Sequence, residues 1–586
     1  MSLGFVKTDQ KNKEEKMKKL KRFSLLLLAA LLLFSVACGS GDTGTSDTTD
    51  STGTNDSAGT PTSSPDNEVA VPTEGGDAFG GFGGEVTEES SIAEHIDIIL
   101  SEDLVVLNPL LPAGNGAAPT WTHCLVHDRL IAQPEPGVFV PSLATSWDTE
   151  DYKTWTFYLR EDVTWHNGDH FTADDIRFTI ENTLLNPGTL AYNRYGTVES
   201  VQVIDTYTVE ITLVAPNVDI FFEFANHGGA SILNQRAFEA NPDDPMWAAI
   251  GTGPYRVADF VSSSYMTLER FDGFWGDAPP TKSMTLWSVP EQSTRAVMMQ
   301  NGEAQLAFGL SSEDLDSFGT NRDFQVFSTM NVSPTCISFN NMGDEVMMDP
   351  NFRLAIAHGV NPEDIALAAL GNWGVAPWDG NVWGAGVQYR LEGMPRREYN
   401  LELAKEYLAN SSYEGQTIKL ANAITTPAFA AQVVQMQLLE IGINVSIESM
   451  DLASLVAMHT WDPNSDQTER QMHLFGIAAN PSALRTLRTG FIPESATNRL
   501  NYAHPRVTEL TNLIASTDDE SVRRDAAHEI QQILYDEIPA VAVYFSLTGV
   551  AAVNGIGGVI MGNDPFANNM RNMFWDLEET PAALRP

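Results

Sequence analysis

Thr154-Trp155-Thr156-Phe157-Tyr158-Leu159, then Val163-Thr164-Trp165-His166-Asn167-Gly168-Asp169, then Phe171-Thr172-Ala173-Asp174-Asp175: this stretch decides how the chain folds. Its first six residues alternate polar and apolar side chains. That period of two predicts a strand burying Trp155, Phe157 and Leu159 on one face, as core residues rather than ligand contacts. Asn167-Gly168-Asp169 tolerates left-handed backbone and predicts a tight loop. Thr172 can cap a helix whose third residue is Asp175, a capping-box start, and Ile176, Ile180 and Leu184 then recur on one face.

The same patterns extend outward. Thr208-Val209-Glu210-Ile211-Thr212-Leu213 alternates again, and Val201-Gln202-Val203-Ile204 precedes it across Asp205-Thr206, which predicts a hairpin. Helices are predicted over Glu291–Asn301, Phe352–His358, Leu401–Ala409, Ala428–Ile441 and Glu520–Tyr535, and strands over Gln416–Asn422 and Ile443–Ile447. From about residue 350 to 525 helix and strand alternate, which is α/β patterning.

Composition removes several function classes. The 586 residues carry 34 Lys+Arg against 77 Asp+Glu, a formal charge of −43. Nucleic-acid binding through cationic contacts to phosphate is excluded on that balance. With 43% apolar and 9% aromatic residues the chain can bury a large core, enough for about three or four domains or lobes. Cys38, Cys124 and Cys336 are too few for a disulfide scaffold or a four-thiolate zinc site. Cys124 and Cys336 read as small buried hydrophobes, with their pairing left open. No Walker loop, dinucleotide-binding glycine pattern or Gly-x-Ser-x-Gly elbow is present. His123-Cys124-Leu125-Val126-His127 would place two imidazoles on one helix face, but without a third ligand the spacing reads as packing, and neither a metal nor a cofactor is expected. An extracellular hydrolase is the rival class. It would need a fixed acid/base pair, which abundant carboxylates cannot identify from sequence.

The N-terminus sets the compartment. Lys16, Lys18, Lys19, Lys21 and Arg22 precede Phe23–Phe34, an apolar run too short for the roughly 20 residues of a membrane span. Ser35-Val36-Ala37-Cys38-Gly39 follows, so residues 1–37 read as an export signal, with Met17 as an alternative start. The segment resembles a bacterial lipobox, with Ser35 where Leu is usual. That makes Cys38 the lipidation candidate, and plain secretion the alternative. Residues 38–91 are rich in Gly, Ser, Thr, Asp and Pro and predict a disordered tether, with a mean span of about 40 Å for some 50 residues. After cleavage only Lys153, Lys282, Lys405 and Lys419 remain among the lysines, a surface that repels anionic lipid. Membrane attachment is expected through the lipid alone, with the protein anchored to the outer face of the cytoplasmic membrane or periplasmic.

Read in order, several segments resemble the extracytoplasmic solute-binding proteins of ABC importers, peptide/nickel-binding family (family 5). They are Leu107-Asn108-Pro109-Leu110, Pro141-Ser142-Leu143-Ala144-Thr145-Ser146-Trp147, the opening stretch above, Gly251-Thr252-Gly253-Pro254-Tyr255 and Arg270-Phe271-Asp272-Gly273-Phe274-Trp275. Later matches are Asp349-Pro350-Asn351-Phe352-Arg353, Leu438-Leu439-Glu440-Ile441-Gly442-Ile443-Asn444-Val445 and Ile533-Leu534-Tyr535-Asp536-Glu537-Ile538-Pro539. The resemblance spans about residues 92–560. It implies an α/β, periplasmic-binding-protein-like fold of two lobes around a cleft, with a small extra domain inserted in the N-terminal lobe. The expected division is 92–148 lobe I, 149–250 inserted domain, 251–347 lobe I, 348–525 lobe II and 526–586 lobe I again. It further implies a non-enzymatic monomer that closes on a small solute and delivers it to a permease and its ATPase.

Ligand identity is less legible. Peptide-binding relatives carry an acid for the peptide amino terminus in a stretch that corresponds here to Leu474-Phe475-Gly476-Ile477-Ala478-Ala479-Asn480-Pro481, where the acid is missing. An unpaired buried ammonium costs several kcal/mol. Asp462 and Asp466 are possible substitutes, although they suit a loop better. Gly476, Ala479 and Asn480 remain candidates by position, as do Asn115 in Gly114-Asn115-Gly116-Ala117 and the amides of Asn340 and Asn341. Trp373, Trp378 and Trp383, set among Gly and Pro, are candidate stacking surfaces for sugar rings or apolar side chains, or else simple packing. Arg485 and Arg488 would share a helix face and suit an anionic group, with surface charge balance as the alternative. Oligopeptide ranks first as ligand, oligosaccharide or another amphiphilic solute second, and a sensory role third.

Overall fold

The computed structural model describes residues 79–585 apart from 84–85, 87–90, 106, 109–110, 112–116, 136–137, 188, 226–228, 343–344, 425, 460–470, 478, 494, 496 and 563–568. The expectations for the signal, Cys38, the tether before residue 79, Asn115, Asp462 and Asp466 lie outside the described residues.

The opening stretch folds as its pattern requires. Thr154–Leu159 is a strand with Trp155 and Phe157 buried, paired antiparallel with Ala144–Asp148 on one side and Thr208–Leu213 on the other. Val198–Asp205 adds the fourth strand, completing the expected hairpin. Helix Ala173–Leu184 opens on the Thr172/Asp175 capping box, with the Thr172 N–H donating to Asp175 Oδ2 at 3.0 Å. Gly168 takes a φ of +88°, the left-handed conformation the loop needs. Trp165, fully buried, donates its indole N–H to Asp175 Oδ2 at 3.3 Å, tying loop to helix. Together these elements enclose a core of their own.

A second, mixed sheet of twelve strands runs through the rest of the chain. Val445–Met450, Ile418–Ala423, Met472–Gly476 and Thr335–Phe339 form one half; Leu306–Phe308, His95–Leu100, Ser283–Ser288, Tyr265–Arg270 and Tyr255–Val261 form the other. Between them lies the 14-residue strand Ala540–Val553. Its Ala540–Tyr544 end pairs with Thr335–Ser338, and its Leu547–Val553 end pairs with Phe324–Met330. At roughly 3.3 Å per residue such a strand spans some 45 Å. It joins both halves of the sheet, and residues 331–334 run beside it, with the Asn331 N–H on the Ser546 carbonyl at 2.9 Å.

Helices cover this sheet where their caps predict. Pro350–Gly359 begins with proline after the capping Asp349, Pro362–Leu370 repeats the device after Asn361, and Asp519 caps Glu520–Glu537. Leu401–Ala409 has the predicted bounds, and Ala428–Glu440 ends one residue early.

Gly251 and Gly253 mark the return from the four-stranded sheet to the larger one. A Cβ on Gly251 would lie 1.7 Å from the Val126 carbonyl oxygen, and one on Gly253 2.7 Å from that of Leu125. Only glycine lets these two backbones meet. Beside them Asp128, fully buried, accepts from Thr252 Oγ1 at 3.0 Å and Trp275 Nε1 at 2.8 Å and pairs with Arg571 at 2.7 Å.

Candidate functional site

A cavity of about 370 Å³ opens between Thr197, Asn217, Asp219 and Glu223 on one side and residues 482–497 on the other. Two short elements present its charges. Asp219 sits at the N-cap of helix Ile220–Phe224, with Glu223 one turn on. Ser482 caps helix Ala483–Gly490 by accepting the Arg485 N–H at 3.1 Å, which aims Arg485 and Arg488 at the opposite wall.

The walls are joined by charge. Arg485 pairs with Glu223, which also meets Arg194 at 3.4 Å. Arg523, from helix Glu520–Glu537, pairs with Asp219, whose other oxygen accepts from Ser482 Oγ at 3.0 Å. Burial pushes the Asp219 carboxyl up, and Arg523 opposes that shift. Arg488 has no carboxylate partner among the described residues; its side-chain bond is to the Pro216 carbonyl at 3.4 Å. Around it stand Thr489, Ser495 and Thr497, the last two with hydroxyl oxygens 2.9 Å apart and both within hydrogen-bond reach of the Thr489 carbonyl, at 3.1 and 2.7 Å.

The remaining candidates fall in two groups. Beside the cavity, Ala479 and Asn480 have their backbone groups engaged: Ala479 N–H donates to Ser333 Oγ at 3.1 Å, and Asn480 exchanges bonds with Thr486 Oγ1 at 2.8 and 2.9 Å. Gly476 pairs opposite Thr335, and the nearest atom to a Cβ there is the Pro334 carbonyl oxygen at 3.8 Å, so its face is open. Asn340 and Asn341 are not among the residues lining the cavity. Asn340 bonds to Met342 and Asn501, and Asn341 to the Phe339 and Leu500 carbonyls at 2.9 Å, so both amides serve to shape loops.

Of the two readings of the tryptophan loop, stacking surface or packing, Trp373 and Trp383 take the packing one. Trp373 is 4% exposed among Leu315, Phe318 and Leu547, with its indole N–H on Asp316 at 3.0 Å. Trp383 is 1% exposed in a different core cluster. Trp378 is half-buried, tilted against Phe545 and covered by the Arg390 guanidinium 4.8 Å from its ring. These indoles are used by the lobe itself.

His123 and His127 are buried with their rings 5.8 Å apart, and no three described His, Cys, Asp or Glu residues form a group that could hold a metal. Cys124 and Cys336 are both buried, and they are not joined by a disulfide. Sequence reasoning found Arg485 and Arg488 but not Thr197, Asp219, Glu223, Ser482 or Arg523. The contacts that join them cross 262 to 304 positions, and no local pattern carries such pairings.

With this geometry in place, comparison with known proteins is decisive. Residues 138–492 match the model of the bacterial extracellular solute-binding proteins, family 5. The chain belongs to that family. Family 5 proteins serve ABC importers as solute-binding components and are not enzymes. A curated relative, the glutathione-binding protein GsiB of Salmonella paratyphi A, is 24% identical over 401 residues, covering 67% of this chain and 77% of its own. Among solved structures, the ABC transporter-associated periplasmic binding protein DppA from Helicobacter pylori, in complex with peptide STSA, superposes with a TM-score of 0.66 at 20% identity. That match covers 84% of this chain and 98% of DppA. NikA from Brucella suis, in complex with Fe(III)-EDTA, gives a TM-score of 0.70 at 20% identity over 82% of this chain and 99% of its own. The two-lobed α/β fold of this family 5 protein is therefore established by pattern, model and likeness together.

Proposed function

We propose that this family 5 protein captures a short peptide or a similarly zwitterionic solute in the cavity between residues 197–223 and 482–497, and delivers it to the permease and ATPase of an ABC importer. The cavity carries the reading. Its volume lies within the roughly 300–1,000 Å³ of small-ligand sites, and its wall offers both signs of charge, Asp219 and Glu223 against Arg485 and Arg488. GsiB, named for glutathione, and DppA, solved with a peptide, support the solute class. Ala540–Val553 and residues 331–334 are the connections about which closure on the solute occurs, and the Asp219–Arg523 and Glu223–Arg485 pairs hold the closed walls together. Burial of Trp373 and Trp383 in core clusters weighs against a sugar ligand stacked on this loop.

A thermal-shift screen against pools of short peptides tests this reading. Ligand at about a hundred times its dissociation constant stabilises by about 2.7 kcal/mol, a shift readily seen. Peptide pools are expected to raise the melting temperature; a response confined to oligosaccharide pools rejects the peptide assignment.

Anchoring through Cys38 at the outer face of the cytoplasmic membrane belongs to the same proposal, and no described helix is long and apolar enough to cross a membrane. Cys38→Ala is expected to move the protein from the membrane to the soluble fraction. Retention in the membrane fraction rejects the anchor.

A further inference from the structure

The charges of the cavity do not cancel. Arg485 is paired with Glu223 and Arg523 with Asp219, in a chain whose formal charge is −43. That leaves Arg488, on the cavity wall, without a carboxylate partner among the described residues. A guanidinium has five N–H donors, and Arg488 spends one of them on a long bond to the Pro216 carbonyl. Burial disfavours its charge, and Glu223 and Asp219, both committed to other arginines, compensate only from a distance. Across the cavity, Thr197 Oγ1 is buried and has no hydrogen-bond partner among the described residues. A desolvated guanidinium and an unsatisfied hydroxyl on one cavity are each costly alone and are satisfied together by anionic oxygen acceptors.

We propose that Arg488 and Thr197 form an anion subsite that takes a carboxylate of the bound solute, the guanidinium through its paired N–H groups and the threonine through its hydroxyl. The inference rests on the reading of this cavity as the solute site. It makes the preferred solutes carboxylate-bearing and selects against amidated or otherwise neutralised ends.

Binding of trialanine and of trialanine amide, measured by calorimetry on the wild type and on Arg488→Gln, tests the subsite. Hydrogen bonds to charged groups contribute about 1.5–3 kcal/mol, so the free acid is expected to bind the wild type about 10–100-fold more tightly than the amide, with that preference lost in Arg488→Gln. Equal binding of acid and amide to the wild type overturns the subsite. If neither peptide binds, the peptide reading is left to the pool screen, and sulfate decides the subsite separately. A saturable thermal shift on replacing chloride by sulfate, present in the wild type and absent in Arg488→Gln, supports it; identical shifts in both overturn it. Should Arg488→Gln fail to fold, Thr197→Val, which keeps the shape and breaks no ion pair, replaces it in every arm. Unchanged anion binding in that variant overturns the subsite.

Discussion

Lowering the pH from about 7 to about 4 is expected to destabilise the protein by several kcal/mol, because buried histidines are folded in their neutral form. Burial holds His123 down to about 4, and His127, in contact with it, well below the ordinary histidine range. His123 Nε2 lies 3.0 Å from the Leu107 carbonyl, so that nitrogen carries the proton, and a second proton on Nδ1 would be buried without a partner. His166 is fixed in the same sense: Nε2 donates to the Gly253 carbonyl at 2.9 Å, and Nδ1 accepts the Gly251 N–H at 3.2 Å. Protonating Nδ1 breaks that second bond. The sign follows from the direction of the shifts. With the folded value near 4 and the unfolded value at 6.5, protons bind the unfolded chain first, so stability is complete above 6.5 and lost as the pH falls toward 4. At about 1.4 kcal/mol per unit, His123 alone accounts for about 3 kcal/mol. Asp175, whose carboxyl burial pushes up, acts in the opposite direction and offsets part of the loss. Denaturant unfolding across this range should give a falling free energy, and His123→Gln, which keeps a donor for Leu107, should flatten the curve. Equal slopes in variant and wild type refute the assignment.

Arg571→Ala should cost about 3–5 kcal/mol, the loss seen when one partner of a buried ion pair is removed and the other stays charged. Asp128 is fully buried and opposes Arg571 at 2.7 Å; the same guanidinium donates to the His127 carbonyl at 2.7 Å and to the Cys124 carbonyl. Burial works to raise the Asp128 carboxyl, yet Arg571 and the Trp275 indole outweigh it and hold the group below the usual range. Without Arg571, Asp128 keeps Thr252 and Trp275 but loses its strongest counter-charge, at the point where Gly251 and Gly253 press against residues 125–126. Chemical denaturation measures the loss. Adding Asp128→Asn to Arg571→Ala should restore part of it, since the orphaned charge is then gone. A loss below about 1 kcal/mol for Arg571→Ala would place this pair with the weak surface bridges.

Much of the fold was legible because its signals are local. The alternation at Thr154–Leu159 and the Thr172/Asp175 box each act within a few residues, and both elements formed where they were expected; the helix expected over Phe352–His358 formed as Pro350–Gly359, while Pro362–Leu370 was not foreseen. The site was legible only at Arg485 and Arg488, a helix-spaced pair made conspicuous by the scarcity of bases. Their partners were not, because the Asp219–Arg523 pair joins residues 304 positions apart. The tryptophan loop was open to two readings for a physical reason. Gly and Pro around Trp373 do not say which way an indole turns; in the structure Gly374 packs against the Ala366 backbone and the Trp373 indole is buried, bonded to Asp316. Loops have no periodicity, so burial within them is set by tertiary contacts that sequence does not display.

The central claim is that this family 5 protein binds and releases its solute without changing it. Equilibrium dialysis of the purified protein against the peptide pool that stabilises it, followed by mass analysis of the bound fraction, tests that claim directly. The expected result is saturation at one solute per chain, recovered chemically intact after unfolding. Cleaved or modified solute, or uptake that never saturates, would contradict it.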